Sequence, residues 1–188
     1  YDQSLDDALE SELSGPIRNL LRGLVAAGRD EDETRDAAKA RKDAQDLYDA
    51  GVGMNNDTDE SEFIRILNTR SYPQLHETFK AYEEISQDTI EGAIESEFNG
   101  DMKNGLMALV QRVNDPLAFY ASRIFDAMDG AGTDDKTLIR ILIARSERDL
   151  ADIAVKYKEL YDKDLIEAIK EDTSGDYGKL LVAIVKGT

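Results

Sequence analysis

Met128-Asp129-Gly130-Ala131-Gly132-Thr133 and Asp172 are the residues of this chain whose types and spacing suit metal chemistry. Two glycines at alternate positions let a short turn adopt positive φ and turn successive carbonyls to one side. Carbonyl oxygens are hard donors, and Ca²⁺ takes roughly six to eight oxygen ligands. The turn is read as an uncharged source of about three of them, so it needs a carboxylate from elsewhere. Asp172, in Glu171-Asp172-Thr173-Ser174-Gly175, is the candidate. A single carboxylate against a divalent cation leaves a net positive centre with open positions for further oxygen ligands.

The rest of the composition limits what such a site could serve. The chain has 188 residues, a formal charge of −17, 41% hydrophobic and 34% charged residues, three prolines and no cysteine. That length suits one compact domain or a pair of repeated units. The sparse prolines agree with long helices, and the absence of cysteine excludes a disulfide framework. Strong acidity opposes nucleic-acid binding, because phosphates are repelled. It equally opposes direct attraction to anionic lipid, unless a multivalent cation stands between. The best apolar run, Leu180 to Val185, is six residues, against the roughly 20 that a spanning helix needs. No secretory leader is legible, and the chain opens at Tyr1 without methionine, as a fragment or processed product would.

Internal repetition organises the chain. Arg70-Ser71 recurs as Arg145-Ser146, Thr58-Asp59 as Thr133-Asp134, and Asn99-Gly100-Asp101 as Ser174-Gly175-Asp176, all offset by 75 residues. Glu97 falls on Asp172 at the same offset, and Leu5 to Gly15 matches Leu165 to Gly175. The expected fold is therefore all-α: the end of a partial repeat at 1–28, a linker at 29–36, and complete repeats at 37–112 and 113–188.

Each complete repeat reads as five helices. In the first, helices are predicted at about 37–50, 58–70, 72–84, 87–96 and 100–112. In the second, Asp115-Pro116 caps and opens a helix to about Met128. Thr133 is expected to cap the next, with apolar spacing at Leu138, Ile141 and Leu142. Ser146-Glu147-Arg148-Asp149 resembles a capping box and would start a third helix through about Tyr157. Asp162 or Lys163 would start a fourth, ending near Glu171, and a last helix would run to about Val185. Arg29 to Asp36 is charge-dense without apolar period, and reads as a solvated linker. Arg70 and Arg145, closing the second helices, are expected to form buried ion pairs with acidic residues rather than to touch lipid.

Gly130-Ala131-Gly132-Thr133-Asp134-Asp135, Leu138-Ile139-Arg140-Ile141-Leu142, Arg145-Ser146-Glu147 and Asp172-Thr173-Ser174-Gly175-Asp176-Tyr177 resemble an annexin repeat. The resemblance covers the whole chain, as the end of a second repeat followed by the third and fourth. It implies calcium-dependent, reversible binding to acidic phospholipid membranes without catalysis, by a cytoplasmic protein that becomes peripheral on membranes when calcium rises. Carried over residue by residue, it implies carbonyl ligands at Met128, Gly130 and Gly132, with Asp172 as the side-chain ligand. The third repeat departs from the pattern: its loop is two residues longer, and Asp57 stands where glycine belongs. A second site from carbonyls of Gly51, Asn55 and Asp57 with the carboxylate of Glu97 stays open beside an ion-free loop. Glu12 matches the corresponding carboxylate of the partial repeat, but its partner loop is missing from this chain, so as written it cannot complete a site.

Two other classes fit less well. A helical-repeat scaffold for protein partners would share the architecture without needing the Gly-x-Gly-Thr loop. An enzyme lacks its residues: there is one histidine, His76, no cysteine and no Gly-x-x-x-x-Gly-Lys loop. An EF-hand starting at Asp57 fails, because Glu62 occupies the glycine position and Asn68 the required glutamate. With a first repeat and most of a second missing, apolar surface near 115–145 should be exposed. Either the chain forms a homo-oligomer or the sequence is incomplete.

Overall fold

A computed structural model describes residues 3–53 and 58–187, and among them every regular element is an α-helix. The chain divides into two compact units, Tyr1–Asn114 and Asp115–Thr188. None of the twelve helices among the described residues is long and apolar enough to cross a membrane.

The first unit holds α1 (Leu5–Glu12), α2 (Gly15–Val25), α3 (Ala37–Ala50), α4 (Glu60–Thr69), α5 (Tyr72–Ser86), α6 (Ile90–Glu97) and α7 (Gly100–Asn114). Its core is built from apolar stripes on α2 to α7, including Leu47, Phe63, Ile66, Leu75, Tyr82, Ile94 and Leu106. Leu20 of α2 is fully buried in the same core, so the last helix of the partial repeat packs with the complete one. Gly105 on α7 makes room for it: a Cβ there would lie 3.0 Å from Leu20 Cδ2.

The second unit holds α8 (Pro116–Met128), α9 (Asp135–Arg145), α10 (Leu150–Tyr161), α11 (Leu165–Asp172) and α12 (Gly175–Lys186). Ile124, Leu138, Leu142, Ile153, Ile169 and Leu181 form its core. Phe125 and Tyr161 stack face to face at 4.0 Å beside it.

Helix starts correct several expectations. Asp115 caps α8 as predicted, its carboxylate accepting from the Ala118 amide at 2.9 Å. The residue capping α9, however, is Asp134 rather than Thr133, and Asp59 takes the same role on α4. Asp and Thr compete for one position, and the threonine is engaged elsewhere. The box at Ser146 does not form: the Ser146 hydroxyl donates back to the Ile143 carbonyl, and α10 starts later, with Asp149 as its N-cap residue. Asp162, proposed to open α11, instead closes α10 in a left-handed conformation at φ 51°, and Asp164 caps α11.

The stretch 29–36 has no regular structure and residues 30–36 are exposed, as a solvated linker would be, but Arg29 is partly buried. Its guanidinium donates to the carbonyls of Arg70 and Leu67, each at 2.6 Å, and lies 4.6 Å from the Tyr72 ring centre. This arginine satisfies the carbonyl end of α4. Exposed large apolar side chains in the second unit are Ile143, Val155, Leu160 and Leu180, spread over α9, α10 and α12. The expected concentration on 115–145 is thus reduced to Ile143 among the described residues, because Leu117, Tyr120, Phe125 and Ile139 pack against the core.

Candidate functional site

Each complete repeat closes its first interhelical loop with the same main-chain bond. The Asp134 amide donates to the Ala127 carbonyl, and the Asp59 amide to the Ala50 carbonyl, both at 2.7 Å. Between those anchors run residues 128–133 in one repeat and 51–58 in the other, so the longer third-repeat loop is accommodated between identical ends. In the fourth repeat the turn needs its glycines: Gly130 has φ 112° and Gly132 φ 99°, conformations that L-residues rarely adopt. Neither glycine has another atom within 4 Å of where a Cβ would stand, so the turn has an open face.

Asp172 comes to this turn from the last residue of α11. The Thr133 hydroxyl donates to Asp172 Oδ2 at 2.6 Å. Thr58 and Glu97 repeat the arrangement in the first unit, hydroxyl to Oε2 at 2.7 Å. The threonine expected as a helix cap is therefore the tie between loop and remote acid in both repeats.

The sequence-derived residues fall as follows. Met128 and Asp172 line one cavity, and Gly130 and Gly132 lie in the turn that Thr133 ties to Asp172. Glu97 meets its own loop through Thr58. Gly51 ends α3 and is buried, with φ −113°; a Cβ there would stand 3.3 Å from Phe63 Cζ, so packing explains this glycine. Asn55 and Asp57 lie outside the described residues. Glu12 lies exposed at the end of α1.

A cavity of about 350 Å³ adjoins the fourth-repeat turn, lined in part by Met128, Asp129, Tyr157, Lys163, Glu171 and Asp172. Burial pushes the Tyr157 hydroxyl up to about 12, with Tyr161 and the charge of Asp172 adding to the effect. Reading the turn as uncharged overlooked Asp129, which sits inside it and is exposed. Lys163 and Glu171 were also missed; they pair at 2.5 Å across the cavity rim. The sequence signal for all three was only that charged residues flank both halves of the motif.

Nowhere among the described residues do three His, Cys, Asp or Glu side chains converge as metal ligands. A cation at the turn would thus rest on main-chain carbonyls and one carboxylate. That all-oxygen donor set suits a hard ion such as Ca²⁺ or Mg²⁺, and the open face of the glycine turn leaves room for one.

Away from the turn, the arginines form the expected ion pairs. Arg70 donates through Nε and Nη2 to both oxygens of buried Asp43, at 2.6 and 2.8 Å. Arg145 instead pairs with Asp149, Nε to Oδ1 at 2.7 Å, and covers the Tyr120 ring at 4.6 Å. His76 stands partly exposed, 3.8 Å from Glu77 Oε1.

Fold and site together define an all-helical repeat protein in which each complete repeat ties an interhelical turn to a remote carboxylate. The profile of the Annexin family matches residues 42–109 and 119–184, and the chain belongs to that family. Annexin A13 of Homo sapiens is 43% identical over 185 residues, spanning 98% of this chain. The solved structure of annexin III aligns over the whole chain with a TM-score of 0.96 and 44% identity, covering 58% of that protein. Calcium-bound annexin (Sm)1 aligns over 98% of the chain and 54% of its own, with a TM-score of 0.87 at 32% identity. The chain spans 58% of the length of the curated relatives it matches.

Proposed function

We propose that this chain binds acidic phospholipid surfaces reversibly and in a calcium-dependent way, through the turn at 128–133 and Asp172. The observation that carries the reading is the Thr133–Asp172 hydrogen bond, which holds a carboxylate against a glycine turn of open face. The carbonyls of Met128, Gly130 and Gly132 with the Asp172 carboxylate would hold the ion. Bound there, Ca²⁺ supplies a positive centre to which a lipid phosphate or carboxylate can add an oxygen ligand. The residues of the chain keep that centre accessible, because the glycines carry no side chain over it. In the third repeat, Glu97 tied by Thr58 is the counterpart, with Gly51, Asn55 and Asp57 as the proposed carbonyl donors.

Low ligand charge gives weak affinity in solution, on the order of 10⁻⁴–10⁻³ M, and lipid and calcium then strengthen each other reciprocally. One relative supports the metal part: annexin (Sm)1, 32% identical to this chain, has a calcium-bound structure. Sedimentation with phosphatidylserine vesicles, with calcium and then with chelator, tests the proposal. Calcium-dependent pelleting that chelator reverses is expected. Pelleting indifferent to both would favour a scaffold that binds without calcium.

A further inference from the structure

The cavity beside the fourth-repeat turn carries charges that the calcium-and-lipid reading leaves unused. Asp129, Lys163, Glu171 and Asp172 all line it. Lys163 Nζ lies 2.5 Å from Glu171 Oε2, so those two charges offset each other. Asp129 is left as a second acid beside Asp172. It is exposed, and its extended backbone (φ −86°, ψ 125°) places it where α8 ends and the turn begins.

We infer that Asp129 sets the charge of this site and so its choice of head group, an inference that rests on the turn and Asp172 holding a divalent cation. With Asp172 alone the occupied site has a formal charge of +1, which pulls on any head group with net negative charge. With Asp129 beside it the formal sum is zero. Cation binding without lipid gains from the added acid, since opposite charges a few ångströms apart attract even through partly screened surroundings. The pull on a net-negative head group weakens by the same charge. A phosphate whose charge is balanced by its own ammonium, as in phosphatidylethanolamine, then competes on nearly even terms with phosphatidylglycerol.

The test uses Asp129→Asn in the full chain with Glu97→Ala, which confines the readout to the fourth repeat. Calcium titrations without lipid, followed at the Gly130 and Gly132 amides by NMR, should show about three- to tenfold weaker binding for Asp129→Asn. Vesicle sedimentation at graded calcium should show the variant favouring phosphatidylglycerol over phosphatidylethanolamine vesicles about threefold more than the parent does. An unchanged calcium constant, or an unchanged vesicle ratio, overturns the inference. Asp172→Ala separates the layers of the argument. If its Gly130 and Gly132 amides respond to calcium as before, the site reading itself fails. If they fall silent while Asp129→Asn behaves as the parent, only this inference fails.

Discussion

The hydroxyl of Thr133 reaches across 39 residues of sequence to Oδ2 of Asp172, and Thr58 reaches Glu97 across the same separation. In each repeat this bond ties an interhelical loop to the end of a packed helix. A loop so tied has less conformational freedom to lose when it takes a ligand, and pre-organisation of that kind strengthens binding. Replacing Thr133 by Val removes the donor and leaves the carboxylate free to swing. Calcium affinity at the fourth-repeat turn is expected to fall about tenfold, as losing about 1.4 kcal/mol would produce. Thr133→Ser, which keeps the donor, should stay within about twofold. Amide shifts of Gly130 and Gly132 during calcium titration would measure both; equal losses in the two variants would count against the tie.

Arg70 and Arg145 occupy the same place in their repeats but depend on different partners. Asp43 is 1% exposed and accepts both of its hydrogen bonds from Arg70. Removing it leaves a guanidinium largely out of water with no carboxylate, so Asp43→Ala should destabilise the first unit by about 3 kcal/mol. Asp149 is more accessible, and Arg145 retains the Tyr120 face when the acid is gone. Asp149→Ala should therefore cost the second unit only about 1 kcal/mol. Urea unfolding followed by unit-specific amide signals distinguishes the two, and a larger loss from Asp149→Ala would reverse the ranking argued here.

What the sequence disclosed, and what it hid, follows from which interactions are local. Apolar spacing and the 75-residue offset announce the ten helices of the two complete repeats, because periodicity is a property of adjacent residues. The choice between Thr133 and Asp134 as cap depended on a carboxylate 39 residues away, which no local pattern contains. The partner of Arg145 was similarly hidden. The residue facing it from α8 is Tyr120, where α3 has Asp43, and Asp149 had been assigned to a capping box. Arg29 reads as one charge in a charged run, yet two carbonyls at the end of α4 and the Tyr72 ring hold it partly buried. The meeting of the turn with Asp172 was legible because both halves are repeated in order. Asp129 is hidden in the same motif, because its pattern of glycines speaks for main-chain carbonyls and not for the side chain between them.

Tyr82 links the first unit's stability to alkaline pH. Its side chain is fully buried. Burial, reinforced by the charge of Asp88, pushes this phenol up from 10 to about 12. A raised folded value for an acid that is neutral when protonated means that the stabilising form is complete below pH about 10. The contribution is then lost as pH climbs from about 10 to about 12, costing on the order of 1–2 kcal/mol. Tyr82→Phe removes both the buried hydroxyl and its ionisation. It should be neutral or slightly stabilising at pH 7, and should flatten this part of the decline in unfolding free energy above pH 10. A variant that declines as steeply as the parent would assign the alkaline loss to other groups.

Gly23 on α2 is required by a single side chain of α4. A Cβ at this position would stand 2.1 Å from Asn68 Nδ2, whose amide donates to the Leu20 carbonyl at 3.1 Å. Asn68 is buried, and its Oδ1 has no partner among the described residues, so a displaced amide finds no substitute for the bond it gives up. Gly23→Ala should therefore destabilise the first unit by about 2 kcal/mol, in the range for overpacked sites, although alanine is intrinsically favoured over glycine in a helix by about 1 kcal/mol. Trimming the obstacle reverses the balance. In Gly23→Ala/Asn68→Ala the methyl group occupies vacated space and the helix gains its preferred residue. The double variant should be more stable than Gly23→Ala alone, which urea titration of the three proteins would measure. A double variant less stable than Gly23→Ala would show that the Asn68–Leu20 bond, rather than the close approach of α2 to α4, dominates this contact.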